Sequence, residues 1–105
     1  MPDSETTILA RNARHGDADS FGALVEKFQG PIFYLILGKV RDYEAARDLA
    51  QETFIQAYQG LHRLSAEDRF ASWLYGIARN VANNHLRRKR DFVSLDEPFE
   101  GLEDC

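Results

Sequence analysis

The 105 residues are enough for one domain with a modest hydrophobic core, and they exclude a second folded domain. The formal net charge of -4 argues against nucleic-acid binding, for which a basic surface is expected. The charges are unevenly placed, however, because residues 91–105 hold six acidic and no basic residues. Taking those six from the 17 acids leaves 11 in residues 1–90 against 13 Lys and Arg, so this part is slightly basic.

The cysteine content and the apolar runs bear on the cell compartment. The single cysteine, Cys105, excludes an internal disulfide and a metal site built on thiolates, and it favours a reducing cytoplasm. The N-terminal residues lack a signal-peptide pattern, and the longest apolar run, Ile32–Leu37, is too short to span a bilayer. We therefore expect a soluble, cytoplasmic protein.

The first two predicted helices lie on either side of Gly16. Residues 1–6 are polar and are expected to fray, and a short helix is predicted over Thr7–His15, ended by the glycine. Asp17 or Asp19 can then cap a second helix. The apolar stripe of this second helix comprises Phe21, Leu24, Val25 and Phe28.

The stretch after Pro31 has two interpretations. The run IFYLIL fits a buried strand as well as a helix, because periodicity cannot separate the two in so short a segment. Since no other stretch alternates as a strand does, a partner strand is missing. We predict a kinked helix that continues past Gly30 and Pro31 to about Val40.

The third predicted helix covers residues 43–64 and has Asp42 as a good N-cap. Its predicted inward face consists of Ala46, Leu49, Ala50, Thr53, Ala57, Leu61 and Leu64. Its outward face sets Phe54, Ile55 and Tyr58 beside Asp48, Gln51 and Glu52. Either these apolar groups form a patch for a partner protein, or Phe54 and Tyr58 pack sideways on the second helix.

The last predicted helix covers residues 70–90 and follows a polar loop over Arg63–Arg69. Its apolar side, at helical spacing, holds Phe70, Trp73, Leu74, Ile77 and Val81. Its other side holds Ser72, Tyr75, Arg79, Asn80, Asn83, Leu86 and Arg87, and its last turn is Arg87, Arg88, Lys89 and Arg90. Residues 91–105 have no apolar period and are expected to be a mostly disordered tail.

These elements predict an all-α protein. The expected architecture is a compact three- to four-helix bundle with a flexible acidic C-terminal tail. The predicted division is a helical domain over residues 1–90 and an inter-domain linker or tail over residues 91–105.

The polar face of the last helix carries the chemistry. Amides and guanidinium groups hydrogen-bond base edges and phosphates, although a solvated surface is the alternative. Asn80, Asn83 and Asn84 favour use of this face, since Asn is a poor helix former. Tyr75 is the candidate for base stacking, whereas Trp73 belongs to the apolar side.

Motifs for enzymes and bound cofactors are absent from the sequence. It contains no HExxH, no GxSxG and no Gly-rich phosphate loop, and its three histidines lie on different segments. The sequence therefore predicts no catalytic residue, no metal and no cofactor, and the protein is not expected to be an enzyme.

Two strings resemble a known family. DLAQETFIQAYQGL, followed by LSAEDRFASWLYGIARNVANNHLRRKR, is similar to region 2 of the extracytoplasmic-function (ECF) group of bacterial sigma factors. The likeness covers about residues 7–90, and the strings DLxQExF and FxxWLxxIARN with their spacing are highly specific. It implies a bundle that docks on the clamp helices of the RNA polymerase beta-prime subunit. It also implies melting of the promoter minus-10 element, with a non-template base flipped out of the duplex.

The resemblance assigns two sets of residues. The outward face of the third helix would bind the polymerase through Asp48, Gln51, Glu52, Phe54, Ile55 and Tyr58. The loop would take the place of the base-capturing loop and bind DNA through Arg63, Ser65, Ala66, Glu67, Asp68 and Arg69. The last helix would add Ser72, Tyr75, Arg79, Asn80, Asn83, Arg87, Arg88 and Arg90 to the DNA-binding set.

The sequence departs from the family pattern at the loop and in length. The aromatic residue usual at the loop entrance is Leu64, and Glu67 and Asp68 place acids near the expected DNA. The helix-turn-helix domain that reads the minus-35 element in the family has no counterpart after Asp91. The chain is therefore either an excised domain that ends in the inter-domain linker, which we favour, or a natural single-domain variant. An anti-sigma factor is a further expected partner. The alternative function is a protein-interaction module, held by an anti-sigma factor or occupying the clamp helices without opening DNA.

Overall fold

The structure is a computed structural model, and it describes residues 4–96. Its four helices are α1 (Ser4–Arg14), α2 (Ala18–Val40), α3 (Tyr43–Gly60) and α4 (Phe70–Asp96). Two 3-10 turns, Leu61–Arg63 and Glu67–Arg69, connect α3 to α4. Residues 4–96 contain no strand, so the prediction of an all-α bundle is confirmed.

The junction of α1 and α2 follows the predicted capping pattern. Gly16 has a φ of 102°, a region that residues with a side chain rarely adopt, and this lets the chain turn between the helices. The Asp17 carboxylate accepts hydrogen bonds from the backbone N–H of Asp19 and of Ser20 at 3.1 and 3.4 Å. It also accepts one from the Ser20 hydroxyl at 2.9 Å. Asp17, of the two candidates, is therefore the N-cap of α2.

The start of α1 differs from the prediction. Fraying was expected over residues 1–6, but α1 begins at Ser4 and the Thr6 side chain is buried. Packing of Thr6 with Ala10 and Ala13 on one helix face explains the earlier start, because tertiary burial stabilises a first turn that would fray in isolation. Residues 1–3 lie outside the described residues.

The interpretation of residues 32–37 as a helix is confirmed. α2 continues through Pro31, and Ile32, Ile36 and Val40, spaced four residues apart, are all buried. The helix ends at Val40. The next residue, Arg41, is the C-cap: it adopts a left-handed conformation with a φ of 58°, and its N–H donates to the Leu37 carbonyl at 2.8 Å.

α3 supplies the centre of the core. Asp42 caps it as predicted by accepting from the Ala45 N–H at 3.2 Å, and every residue of its predicted inward face is buried. The buried Thr53 hydroxyl donates to the Leu49 carbonyl one turn earlier at 2.8 Å. α3 ends at Gly60, four residues before the predicted end, because the chain tightens into a 3-10 turn there.

The large core residues come from α2 and α4. The largest fully buried side chains are Phe70, Leu24, Ile32, Ile36 and Leu74, together with Thr53. Phe28 of α2 packs against Phe70, with ring centroids 5.9 Å apart. This contact seats the start of α4 in the bundle directly after the loop.

The end of α4 corrects a second prediction. The helix was expected to end near Arg90, with a disordered tail from residue 91, but it runs to Asp96. No Gly or Pro occurs between Arg90 and Pro98, so nothing in the sequence stops the helix earlier. The predicted tail beyond this point, residues 97–105, lies outside the described residues. Across the described part of the chain, no helix has the length and apolar character needed to cross a membrane.

Candidate nucleic-acid interface and partner surface

The predicted site residues fall on two surfaces. The first, here called the loop–helix surface, consists of the loop Arg63–Arg69 and the polar face of α4. The second, here called the α3 patch, consists of Asp48, Gln51, Glu52, Phe54, Ile55 and Tyr58.

The loop is anchored at both ends by the core. Leu64 is only 3% exposed, and Phe70 is buried at the start of α4. Between these anchors the backbone is extended at Leu64 and again at Ala66, which leaves Ser65 exposed on the outside. The Arg69 N–H donates to the Ala66 carbonyl at 3.0 Å and closes the second 3-10 turn. The loop is therefore short and ordered, with its middle turned to solvent.

One loop residue is tied to the N-terminal helix. The Arg14 guanidinium Nη1 donates to the Glu67 carboxylate at 2.7 Å, across 53 residues of sequence. Both side chains are partly buried, at 28% and 25% exposure. Asp68, the other loop acid, is exposed. Sequence reasoning missed Arg14, because no local pattern links the last turn of α1 to this loop.

The polar face of α4 is mostly as predicted. Ser72, Arg79, Asn80, Asn83 and Arg87 are all exposed on it. The Ser72 hydroxyl donates to the Arg69 carbonyl at 3.2 Å and so joins the loop to the helix.

Two residues assigned to this polar face turn partly inward. Tyr75 was expected on the outer side, but it is half-buried, and its ring meets Phe28 edge-on with centroids 6.1 Å apart. Leu86 is also half-buried and packs against the core. Both residues lie at the border of the two helix faces, where spacing alone does not decide whether a side chain turns inward.

Asn84 is a further polar residue of α4 that was left out of the predicted site. Its Oδ1 accepts a hydrogen bond from Arg87 Nη2 at 2.8 Å. This bond fixes the guanidinium against the helix surface. The i, i+3 spacing of an amide and an arginine is the sequence signal that identifies such a pair.

The last basic residues of α4 form a concentrated positive charge. Arg87, Arg88, Lys89 and Arg90 are all exposed on consecutive positions. Residues 91 and 92 that follow them are exposed as well. The cluster is therefore open to solvent and to a polyanion.

The α3 patch combines both interpretations offered by the sequence. Tyr58 packs sideways on α2, where its ring meets Phe21 edge-on with centroids 5.1 Å apart, yet it is still 60% exposed. Phe54 is half-buried against the core, whereas Ile55 is exposed. Glu52 accepts a hydrogen bond from Gln56 at 3.0 Å. The patch therefore has an apolar centre with exposed acids and amides beside it.

A groove of about 560 Å³ between α2 and α3 adjoins the α3 patch. Phe54, Asp48 and Gln51 line it from the patch side. Tyr34 of α2 and Tyr43 at the start of α3 also line it, and both are exposed. The ring of Phe33 lies between them, with its centroid 5.2 Å from each. The three aromatic residues are missing from the predicted site.

The sequence offered no basis for singling out these aromatic residues. An apolar run such as IFYLIL does not reveal which of its residues face solvent.

Within residues 4–96, no group of three or more His, Cys, Asp or Glu side chains is placed to hold a metal ion.

This all-helical bundle is a domain of a bacterial sigma factor. The chain belongs to the Sigma-70 region 2 family, whose sequence model matches residues 24–92. It is similar to the RNA polymerase sigma-H factor of Pseudomonas aeruginosa, at 44% identity over 78 residues, which is 74% of this chain and 40% of the relative. It is also similar to the ECF RNA polymerase sigma factor SigW of Bacillus subtilis, at 31% identity over 93 residues, which is 89% of this chain and 50% of the relative.

A solved structure supports the same assignment. It is an NMR structure of an engineered region 2 of sigmaE in complex with GTAAAA. The TM-score is 0.74 at 32% identity, and the match covers 80% of this chain and 87% of the other. The resemblance to region 2 of the ECF group is thereby confirmed. The chain spans half or less of the length of the two curated relatives described above.

Proposed function

We propose that this chain is the sigma-factor domain that binds the RNA polymerase core and recognises and melts the promoter minus-10 element. In this proposal the α3 patch binds the clamp helices of the beta-prime subunit. The loop Arg63–Arg69 captures a flipped base of the non-template strand, and the polar face of α4 binds the strand beside it. The domain works in the cytoplasm and extends to the end of α4 at Asp96.

A single observation carries the DNA-binding part of the proposal. The exposed amides and guanidinium groups of α4 lie on the same helix that begins where the loop ends, and Ser72 bonds the two together. A base leaving the duplex next to this helix is therefore within reach of the loop. Unstacking a base costs a few kcal/mol, which stacking and hydrogen bonds in the loop must offset. Nucleotide hydrolysis is not required for such an exchange.

The acids of the loop are compatible with DNA nearby. The Arg14 guanidinium offsets the charge of Glu67 at 2.7 Å, which leaves Asp68 as the exposed acid of the loop. The basic residues Arg87–Arg90 add an attraction to phosphates that is independent of sequence and weakens with salt.

The DNA-binding test uses the whole 105-residue chain and fluorescently labelled single strands. A strand enriched by the protein from a random-sequence pool of hexamers, here called the selected strand, is compared by anisotropy at low salt with a permuted strand of the same composition. GTAAAA is included because the solved neighbour holds it. We expect weak binding with a clear preference for the selected strand. Equal affinity for both strands would remove the claim of sequence recognition.

The second candidate is a protein-interaction module, held by an anti-sigma factor or occupying the clamp helices without opening DNA. The observation that favours it is the group of exposed apolar side chains on the α3 patch and beside the adjoining groove, namely Ile55, Tyr58, Tyr34 and Tyr43. Binding to the RNA polymerase core and promoter melting, measured side by side, separate the two functions. Substituting Asp48 and Gln51 abolishes core binding in both cases, whereas substituting Arg79 and Asn80 abolishes promoter melting only if the domain acts on DNA.

A further inference from the structure

The bond between Arg14 and Glu67 joins two parts of the chain that have different roles in the proposed function. Arg14 lies in the last turn of α1, far from the loop in sequence. Glu67 is the first residue of the second 3-10 turn, inside the loop. At 2.7 Å, with both side chains about three-quarters buried, the pair is a short charge-assisted hydrogen bond.

α1 is a firm support for such a bond. Ala10 and Ala13 on its inner face are buried in the core, and Gly16 fixes the turn that leads to α2. Arg14 directly follows Ala13, so the bundle fixes the backbone from which its guanidinium reaches the loop. In the loop Arg63–Arg69, in contrast, Leu64 is the only buried side chain.

The other contacts of the loop show what the bond between Arg14 and Glu67 adds to it. The backbone bond from Arg69 to Ala66 holds the second 3-10 turn together, and the Ser72 hydroxyl ties the last residue of the turn to α4. The turn also packs against α1, where the bond between Arg14 and Glu67 is a side-chain link between the two elements. The bond therefore favours one orientation for the exposed neighbours Ser65 and Asp68.

We propose that Arg14 and Glu67 are positioning residues that hold the base-capturing loop in its binding conformation, so that α1 acts as a brace for promoter recognition. Glu67 then acts through Arg14 rather than by contacting DNA. This inference rests on the proposed function of the loop. It adds α1 to the elements that determine recognition.

The direction in which one substitution changes the affinity for the selected strand separates this role from a simple charge effect. Glu67→Gln removes one negative charge near DNA, which by charge alone strengthens binding of every strand. If the brace operates, the same change loosens the loop and weakens binding of the selected strand. Asp68→Asn is the matched control, because it removes the same charge from the neighbouring exposed position.

The experiment measures the affinity of each variant of the 105-residue chain for the selected and the permuted strand. For Glu67→Gln we expect the preference for the selected strand to fall by about threefold to fivefold, the range available to a partly exposed ion pair. Asp68→Asn is expected to raise the affinity for both strands. The reciprocal variant Arg14→Glu with Glu67→Arg restores the pair and is expected to recover most of the preference.

Three outcomes of the binding experiment overturn the brace. The proposal is wrong if Glu67→Gln raises the affinity for both strands as Asp68→Asn does. It is also wrong if the reciprocal variant shows no stronger preference for the selected strand than the single substitutions do. A wild-type protein without any strand preference contradicts the proposed function itself, and the brace with it.

Two further measurements exclude a general loss of structure. The urea midpoint of each variant tests the whole fold. Amide hydrogen exchange at residues 64–69 is expected to speed up in Arg14→Gln while the α2 and α3 core amides stay protected. Unchanged loop exchange in that variant contradicts the positioning role.

Discussion

The ring of Tyr58 meets the ring of Phe21 edge-on at 5.1 Å while more than half of its surface remains exposed. The contact holds the tyrosine in place on the outside of α3, next to Ile55 and Phe54. A side chain that is already fixed loses little conformational entropy when a partner binds. Tyr58 is therefore suited to act as an aromatic anchor for a partner protein.

We predict that Tyr58→Ala weakens binding to the RNA polymerase core by about tenfold, which corresponds to about 1.4 kcal/mol. Tyr58→Phe keeps the ring and its contact with Phe21, so it is expected to bind nearly as well as the wild type. Ile8→Ala, an exposed apolar position on α1, is the control. Surface-immobilised polymerase core gives the dissociation constants. Wild-type affinity in Tyr58→Ala contradicts the assignment of the α3 patch.

The cap of α2 gives a prediction for stability. Asp17→Ala removes the acceptor for two backbone N–H groups and for the Ser20 hydroxyl, and we expect a loss of about 1 kcal/mol in the free energy of unfolding. Asp17→Asn retains a side-chain oxygen that can cap, so it is expected to lose much less. Urea titrations followed by circular dichroism measure both. Equal losses in the two variants imply that charge, rather than capping, is what Asp17 contributes.

Leu74 tests the packing of α4. The side chain is fully buried, and Leu74→Ala is expected to lower the free energy of unfolding by about 2–5 kcal/mol, because the apolar burial is reduced and a cavity is left behind. The exposed Ile8→Ala is expected to change it by less than about 0.5 kcal/mol. The same urea titration compares them. A small effect at Leu74 contradicts the placement of this residue in the core.

The basic end of α4 predicts a change in salt dependence. Replacing Arg88 and Arg90 with Gln is expected to weaken binding of the selected and the permuted strand equally. The slope of log affinity against log salt is expected to become shallower by about 0.7 for each phosphate of a single strand that the protein no longer neutralises. Anisotropy titrations at several salt concentrations give the slope. Weaker binding of the selected strand alone indicates base recognition by these residues instead.

Most of the fold follows from local patterns in the sequence. Asp17, Asp42 and Gly16 mark helix boundaries through capping and backbone geometry that act within four residues. The buried face of α3 follows from helical spacing alone. The start of α1 and the end of α4 were predicted less accurately. Burial of Thr6 stabilises the first turn of α1 in spite of its polar sequence, and no stop signal follows Arg90 in α4.

The candidate site was predicted less completely than the fold. Exposed polar residues of α4 and α3 could be assigned to faces by their spacing. The bond between Arg14 and Glu67 could not be predicted, because it depends on how α1 packs against a loop 53 residues away. The inward turn of Tyr75 toward Phe28 likewise depends on the space between two helices, which spacing along one helix does not specify.

The buried hydroxyl of Thr53 has a consequence for how this protein can diverge. Its acceptor is a carbonyl of its own helix, so the group needs no polar counterpart on α2 or α4. Residues opposite Thr53 can therefore change in size without stranding a buried polar atom.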